Sequence, residues 1–209
     1  VIRIKSARRS KPAVLNSLMV GWWTHRRKPA KPHRYEIERA ARTSVALDKL
    51  CENHRLGSLT YYYESVAGNE YQDIVASVIP GNTLLTGRNI PVAGECEVKN
   101  CQAMKIMDSF GVGGSFSEFY LADFKDDVVY LGHEGPAHFA IAEGESVAGP
   151  VLQIGNTNSR YKFNLSATQF MNDWSNAGPA HHCAIGVGHI ASKLEKFASI
   201  LGIECKIVC

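Results

Sequence analysis

Residues 98–132 have the sequence VKNCQAMKIMDSFGVGGSFSEFYLADFKDDVVYLG. Apolar side chains at helical spacing predict a helix from Val98 to Phe110, and Gly111 is a natural end for it. Beyond the glycines, residues that suit a pleated sheet predict two strands, Ser115–Phe124 and Val128–Gly132. This stretch therefore predicts a helix followed by an antiparallel portion.

The first of these strands carries a carboxylate beside aromatic side chains. Strand alternation puts Phe116, Glu118 and Tyr120 on the same face. A carboxylate is an unusual neighbour for two aromatic rings, because a charge that is buried without a partner is costly. Glu118 is therefore a candidate for chemistry.

Outside this stretch, helical and strand-like segments alternate along the chain. Helices are predicted for Glu36–Cys51 and for Ile190–Leu201, which Gly202 ends. The less regular segments are predicted as strands at Ser58–Tyr63, Val151–Ile154 and Ile203–Val208, a helix or turn at Ile74–Val78, a short helix at Leu84–Thr86 and a polar loop at residues 155–160. This order predicts an α/β fold with a parallel-type α/β core and an antiparallel β portion.

Charge is distributed unevenly, although the formal net charge is only +3. Residues 1–34 contain 10 basic and no acidic residues, which leaves 13 basic and 20 acidic residues for the remainder. We therefore divide the chain into a basic arm, residues 1–34, and an α/β domain, residues 35–209. Clustered cations are compatible with an arm that contacts nucleic acid. We favour a solvated or subunit-contacting arm of a homo-oligomer, with Trp22 and Trp23 as apolar anchors.

Composition also bears on the compartment. The sequence contains no apolar run of the roughly 20 residues that span a bilayer, and its first residues lack the apolar core of a secretory signal. Its six cysteines have neither zinc-ribbon nor redox spacing, and we expect most of them to be small buried hydrophobic residues. These features predict a cytoplasmic protein without a membrane partner.

Two histidine-rich segments hold further candidates. Residues 132–138 (GHEGPAH) follow a predicted strand, and residues 178–183 (GPAHHC) lie in a predicted loop before the last helix. Imidazoles together with carboxylates suit manganese or magnesium, or zinc where imidazoles dominate. Neighbouring His181 and His182 point in different directions, so at most one is expected to be a direct ligand. A histidine in a polar loop is equally compatible with a structural role.

Glu95 also has two interpretations, because acidic residues just before a helix are favoured electrostatically for structural reasons alone. The glycine-rich residues 111–114 lack the lysine of a phosphate-binding loop and precede a strand instead of a helix. Nucleotide binding is therefore not expected there.

Four stretches resemble the sugar isomerase superfamily that contains L-arabinose and L-fucose isomerases. Their order and spacing also match, and the resemblance covers roughly residues 36–209. The stretches are GECEVK (94–99), GSFSEFY (114–120), GHEGPAH (132–138) and AGPAHH (177–182). The resemblance implies the carboxy-terminal, metal-site half of such an enzyme.

The resemblance implies a divalent metal, usually manganese, that carboxylates and a histidine hold. The matching positions are Glu118 and His182. The second carboxylate would come from residues 132–138 in an arabinose isomerase, which indicates Glu134, or His138 in its place. In a fucose isomerase it would be Glu95.

The implied activity is the metal-dependent interconversion of an aldose and a ketose through an enediol, by an intramolecular oxidoreductase acting on a monosaccharide. Glu118, with Glu95 or Glu134, would transfer the proton between C2 and C1. The residues expected to contact the sugar are His138, His181, Asn158 and Arg160.

The sequence also departs from the family. Its relatives are longer, with an amino-terminal domain that helps to close the site of a neighbouring subunit. Near Gly144 they carry additional strands, which in arabinose isomerases include a further metal-ligating histidine. The alternative hypothesis is therefore a non-catalytic sugar- or metal-binding remnant of the family.

Overall fold

The computed structural model describes residues 33–62, 68–69, 71–133, 135–139, 156–161 and 165–207. The helices within them are α1 (Arg34–His54), α2 (Gln72–Thr86), α3 (Val98–Ser109), α4 (Ala167–Ala177) and α5 (Ala191–Ile200). The strands are β1 (Leu59–Thr60), β2 (Val92–Ala93), β3 (Ser115–Asp123), β4 (Val128–His133), β5 (Asn156–Tyr161) and β6 (His182–Ile185). The basic arm lies outside the described residues, apart from its last two positions.

The strands form two sheets, which confirms a mixed α/β fold. β1 and β2 pair in parallel. The larger sheet has the order β5-β4-β3-β6, and every neighbouring pair in it is antiparallel. The antiparallel portion is therefore the larger of the two, and the parallel portion is a short pair.

Two helices cover opposite faces of the larger sheet. Phe116 of β3 packs with Cys101 and Met104 of α3. Phe119 points to the other face, where it packs with Phe170 of α4. Phe116, Met104 and Phe170 are almost completely buried, so burial of their apolar surface stabilises this layered arrangement.

The helix α2 is continuous, whereas the sequence predicted an interrupted segment. Pro80 lies inside it. The next residue, Gly81, packs so closely on α1 that an added Cβ would lie 2.9 Å from the Cα of Ser44. The hydroxyl oxygens of Thr43 and Ser77 also lie 2.7 Å apart. Contact with α1 thus outweighs the local penalty of a proline within a helix.

The other predicted elements had mixed outcomes. The predicted helices that correspond to α1, α3 and α5 are confirmed, as are the strands β3 and β4, and the first predicted strand shortens to β1. The polar loop predicted at residues 155–160 is wrong, because β5 pairs there with β4. The predicted last strand is also wrong, since its described part, residues 203–207, forms none. The strand predicted at Val151–Ile154 lies outside the described residues.

The helix α4 and the strand β6 were not predicted from the sequence. In the described part of the chain, no helix combines the length and the apolar character that crossing a membrane requires.

Candidate metal centre

The turn between β2 and α3 carries two carboxylates. Glu95 and Cys96 both have a φ of 56°, a left-handed conformation that is uncommon outside glycine. Backbone hydrogen bonds hold the turn: the N–H of Cys96 donates to the carbonyl of Tyr61 and the N–H of Glu97 to that of Gly94, each at 3.0 Å. Backbone in such conformations tends to occur at functional sites, which directs attention to this turn.

The pairing of β3 with β6 brings Glu118 and His182 together. These two residues are partners in the antiparallel ladder, so their side chains share one face of the sheet. The N–H of Phe119 donates to the carbonyl of His181 at 3.1 Å and extends the pairing by one residue. His182 therefore begins a strand, where the sequence analysis predicted a loop.

His182 is the buried centre of the cluster, with a side chain that is only 3% exposed. Its Nδ1 lies 3.1 Å from Oε1 of Glu97. Its Nε2 lies 3.3 Å from Oε2 of Glu95 and 3.7 Å from Oε2 of Glu118. Three carboxylates thus surround one imidazole.

The hydrogen-bonding roles around His182 follow from its partners. An ionised carboxylate only accepts, so Nδ1 of His182 donates to Glu97, and Nε2 of the neutral ring keeps its lone pair. Nε2 is buried and has no hydrogen-bond partner among the described residues. The set formed by Nε2 and the oxygens of Glu95 and Glu118 consists of acceptors and therefore calls for a cation. A proton on Nε2 could be donated to only one of the two carboxylates, whereas a divalent ion could bind both.

His133 has the opposite role. The N–H of Gly135 donates to its Nδ1 at 2.8 Å, so the proton of the neutral ring lies on Nε2. That Nε2 lies 3.5 Å from Oε1 of Glu95. His133 is therefore arranged to orient Glu95 by donating toward it, and in this tautomer its Nε2 has no lone pair for a metal.

Close packing fixes His133 in this position. A Cβ added at Gly135 would lie 2.7 Å from Nδ1 of His133, and one at Gly94 would lie 3.0 Å from the ring of Phe116. The ring of Phe116 in turn lies 4.4 Å from that of His133 and 5.0 Å from that of His182, measured between centroids. One buried phenyl ring thus supports both imidazoles.

His181 lies at the open side of the cluster. Its Nε2 is 3.4 Å from Oε2 of Glu118, and its side chain is 62% exposed. Its ring centroid lies 4.0 Å from that of His182. His181 is therefore the exposed member of the group around Glu118.

Two further groups near the cluster remain protonated at neutral pH. Burial, reinforced by the charge of Glu95, raises the pKa of Tyr61 to about 12. Burial, reinforced by Glu118, likewise raises the pKa of Cys183 to about 12. Tyr61 therefore offers a phenol near Glu95, and Cys183 stays an unreactive thiol.

The structure does not bring His138 to this cluster. Its Nε2 lies 3.3 Å from Oδ1 of Asp108, whose side chain is 2% exposed. Asp108 lies about 16 Å along α3 from Glu97. The N–H of His138 donates to Oγ of Ser115, about 10 Å along β3 from Glu118. In this arrangement His138 ties the segment after β4 to α3 and β3.

The remaining predicted site residues are placed only in part. Glu134 lies outside the described residues. Asn158 and Arg160 belong to β5, where Arg160 pairs with Tyr130 of β4, and His133 at the end of β4 is the partner of Asn156. The backbone of β5 thus runs beside the strand that carries His133, and the roles of both residues stay predictions.

In the part of the chain that the structure describes, two groups of side chains bring possible ligand atoms within 4.8 Å of one another, Glu95–His133–His182 and Glu118–His181–His182. His182 belongs to both. His133 lies in a segment that was predicted to hold metal ligands, but no specific role was predicted for it, and Glu97 was not predicted as a site residue. A scan against models of protein families finds no match, and a search of curated proteins finds no similar sequence.

Proposed function

We propose that this protein is a divalent-metal-dependent isomerase that interconverts an aldose and a ketose. The observation that carries the proposal is the convergence of Glu95 and Glu118 on Nε2 of buried His182, which has no hydrogen-bond partner among the described residues. Two carboxylates and one imidazole suit manganese or a similar divalent ion. The resemblance of four sequence stretches to L-arabinose and L-fucose isomerases supports the same activity.

The residues of the cluster fit the chemistry of such an isomerase. When bound, the metal would supply Lewis acidity toward the oxygens on C1 and C2 of the sugar. Glu118 would remove the proton from C2 and deliver it to C1, through an enediol. The hydroxyl proton on C2 would move to the oxygen on C1, and His181, close to Glu118, would carry it. The aldehyde thereby becomes a hydroxymethyl group and C2 a carbonyl, without any external oxidant.

Glu95 is the second carboxylate of this proposal and is able to bind the ion; its Oε1 lies 3.5 Å from Nε2 of His133. Glu134 stays a prediction for this role, and Asn158 and Arg160 stay predictions for contacts with sugar hydroxyls. The described cysteines are free, which suits a cytoplasmic enzyme. A homo-oligomer remains part of the proposal.

The test is the variant Glu118→Gln, which keeps the size of the side chain and removes its basicity. We expect turnover of the aldose to fall by about a hundred- to ten-thousand-fold, the usual contribution of a general base. Glu204→Gln, at an exposed position, is the matched control and should retain activity. Unchanged isomerisation in Glu118→Gln would refute the proposal. Binding of metal and sugar by the wild-type protein without turnover would favour the non-catalytic alternative.

A further inference from the structure

Glu97 occupies a helix-capping position without capping its helix. It is the N-cap residue of α3, yet its side chain makes no hydrogen bond to the backbone N–H groups of the first turn. Its Oε1 lies 3.1 Å from Nδ1 of His182, and its Oε2 accepts a hydrogen bond from Nδ2 of Asn100 at 3.3 Å. Because an acid at a helix start ordinarily serves the helix itself, this orientation indicates a role directed at His182.

The contact between Glu97 and His182 favours one tautomer of the His182 ring. A carboxylate beside Nδ1 stabilises a proton there, so the lone pair of the neutral ring lies on Nε2. Asn100, one turn further along α3, braces the other oxygen of Glu97. The backbone of His182 is fixed by the pairing of β6 with β3, and its ring by Phe116. Glu97 is therefore the polar group that favours the ring proton on Nδ1 and leaves the Nε2 lone pair toward Glu95 and Glu118.

We propose that Glu97 is a positioning residue that holds His182 in the Nδ1–H tautomer and so presents the Nε2 lone pair to a divalent ion between Glu95 and Glu118. The proposal rests on the metal site of the proposed function. Partners of this kind typically change metal affinity by about 10–100-fold when they are removed. Glu97 itself contributes no ligand atom in this arrangement.

The first arm of the test reads the tautomer in the metal-free protein. Histidine ring nitrogens are labelled with ¹⁵N, and His182 is assigned by its loss in His182→Gln. When the ring is neutral, wild-type His182 should show a protonated Nδ1 and an unprotonated Nε2. Glu97→Ala should shift the ring toward a mixture of tautomers. An unprotonated Nδ1 in the neutral ring of the wild type, or an unchanged pattern in Glu97→Ala, would overturn the proposal.

The second arm measures Mn²⁺ binding by calorimetry. Affinity should fall by about 10–100-fold in Glu97→Ala, and less in Glu97→Gln, whose amide oxygen can still accept from Nδ1. Asn100→Ala, which removes only the brace, should have a smaller effect than Glu97→Ala. Equal affinity in wild type and Glu97→Ala would contradict the proposal.

The two arms separate this inference from the function on which it rests. If the wild-type protein binds no Mn²⁺, the proposed metal site is refuted. The tautomer measurement tests the role of Glu97 independently, because it uses the metal-free protein. Far-ultraviolet circular dichroism of each variant excludes unfolding as the cause, and little loss of helix is expected because the Glu97 side chain does not cap α3.

Discussion

At the scale of residues, the two imidazoles beside Glu95 have opposite hydrogen-bonding roles. Glu97 accepts from His182, which frees the Nε2 lone pair of His182, whereas Gly135 donates to His133, which places a proton on its Nε2. A metal ion needs a free lone pair, which Nε2 of His182 offers. A carboxylate such as Glu95 needs a donor to orient it, which the Nε2 proton of His133 provides. The two histidines thus differ in what Nε2 can do, because Nδ1 of His182 has an acceptor as its partner and Nδ1 of His133 has a donor.

Gly135→Ala tests the role assigned to His133. The added methyl group would lie 2.7 Å from Nδ1 of His133 and 3.0 Å from its Cε1, so the ring or the segment must move. We expect a loss of about 1–3 kcal/mol in the free energy of unfolding, typical of an overpacked site, together with weaker Mn²⁺ binding. Gly57→Ala is the control, because the nearest neighbour of its new Cβ is 3.9 Å away. Equal effects of the two substitutions would contradict the account.

His138 makes stability depend on pH in a definite direction. Burial lowers the pKa of His138 below its ordinary 6.5, although Asp108 partly offsets this. A lowered pKa gives stability that is present above pH 6.5 and is lost as the pH falls through the pKa of the folded state. Burial raises the pKa of Asp108 above 3.8, which acts in the opposite sense at lower pH.

We therefore expect the wild-type protein to lose more stability than His138→Asn between about pH 8 and about pH 5. Chemical unfolding at a series of pH values measures the difference in slope, and His54→Asn, at an exposed position, serves as the control. A steeper loss in His138→Asn than in the wild type would show that the sign is wrong.

The sequence predicted part of this residue-scale arrangement. Glu95, Glu118 and His182 were candidates because their motifs combine carboxylates with imidazoles. The contacts of His133 and Glu97 were not predictable, because they depend on strand register and on the ring nitrogen that each neighbour engages. His138 was predicted as a site residue from its motif. Its contact with buried Asp108 was not predictable, because Asp108 lies outside that motif, on the earlier helix α3.

At the scale of elements, α3 supports the site through its buried face. Met104 is fully buried and packs with Phe116, whose ring contacts both His133 and His182. Met104→Ala should lower the free energy of unfolding by about 2–5 kcal/mol, the usual cost of a cavity in a core. Val98→Ala, on the same helix but 58% exposed, should change it little. Urea unfolding measures both, and a small effect of Met104→Ala would argue against this packing.

Elements with strong periodicity were predictable, and elements decided by contacts were not. The helices α1, α3 and α5 follow from apolar spacing, and β3 and β4 from their composition. α2 runs through Pro80 because α1 packs against it, and β5 is polar in sequence yet becomes a strand by pairing with β4. A bulge between Phe119 and Leu121 also interrupts the alternation expected as far as Tyr120.

At the scale of the whole molecule, the candidate centre forms from segments that are distant in sequence. Glu95 and Glu97 come from the turn after the parallel pair, whereas Glu118, His133 and His182 come from three strands of the antiparallel sheet. The site therefore exists only when the two sheets and α3 are assembled. Mixed α/β architecture was predictable from the order of elements, but the meeting of these segments was not.

The most direct test of the central claim is the conversion of aldoses to ketoses by the purified protein with Mn²⁺. L-arabinose, D-arabinose, L-fucose and D-galactose form the panel, and an excess of chelator provides the control. The account predicts ketose formation from at least one sugar, its loss with chelator and its recovery when Mn²⁺ is restored. A folded protein that binds Mn²⁺ and converts none of these sugars would contradict it.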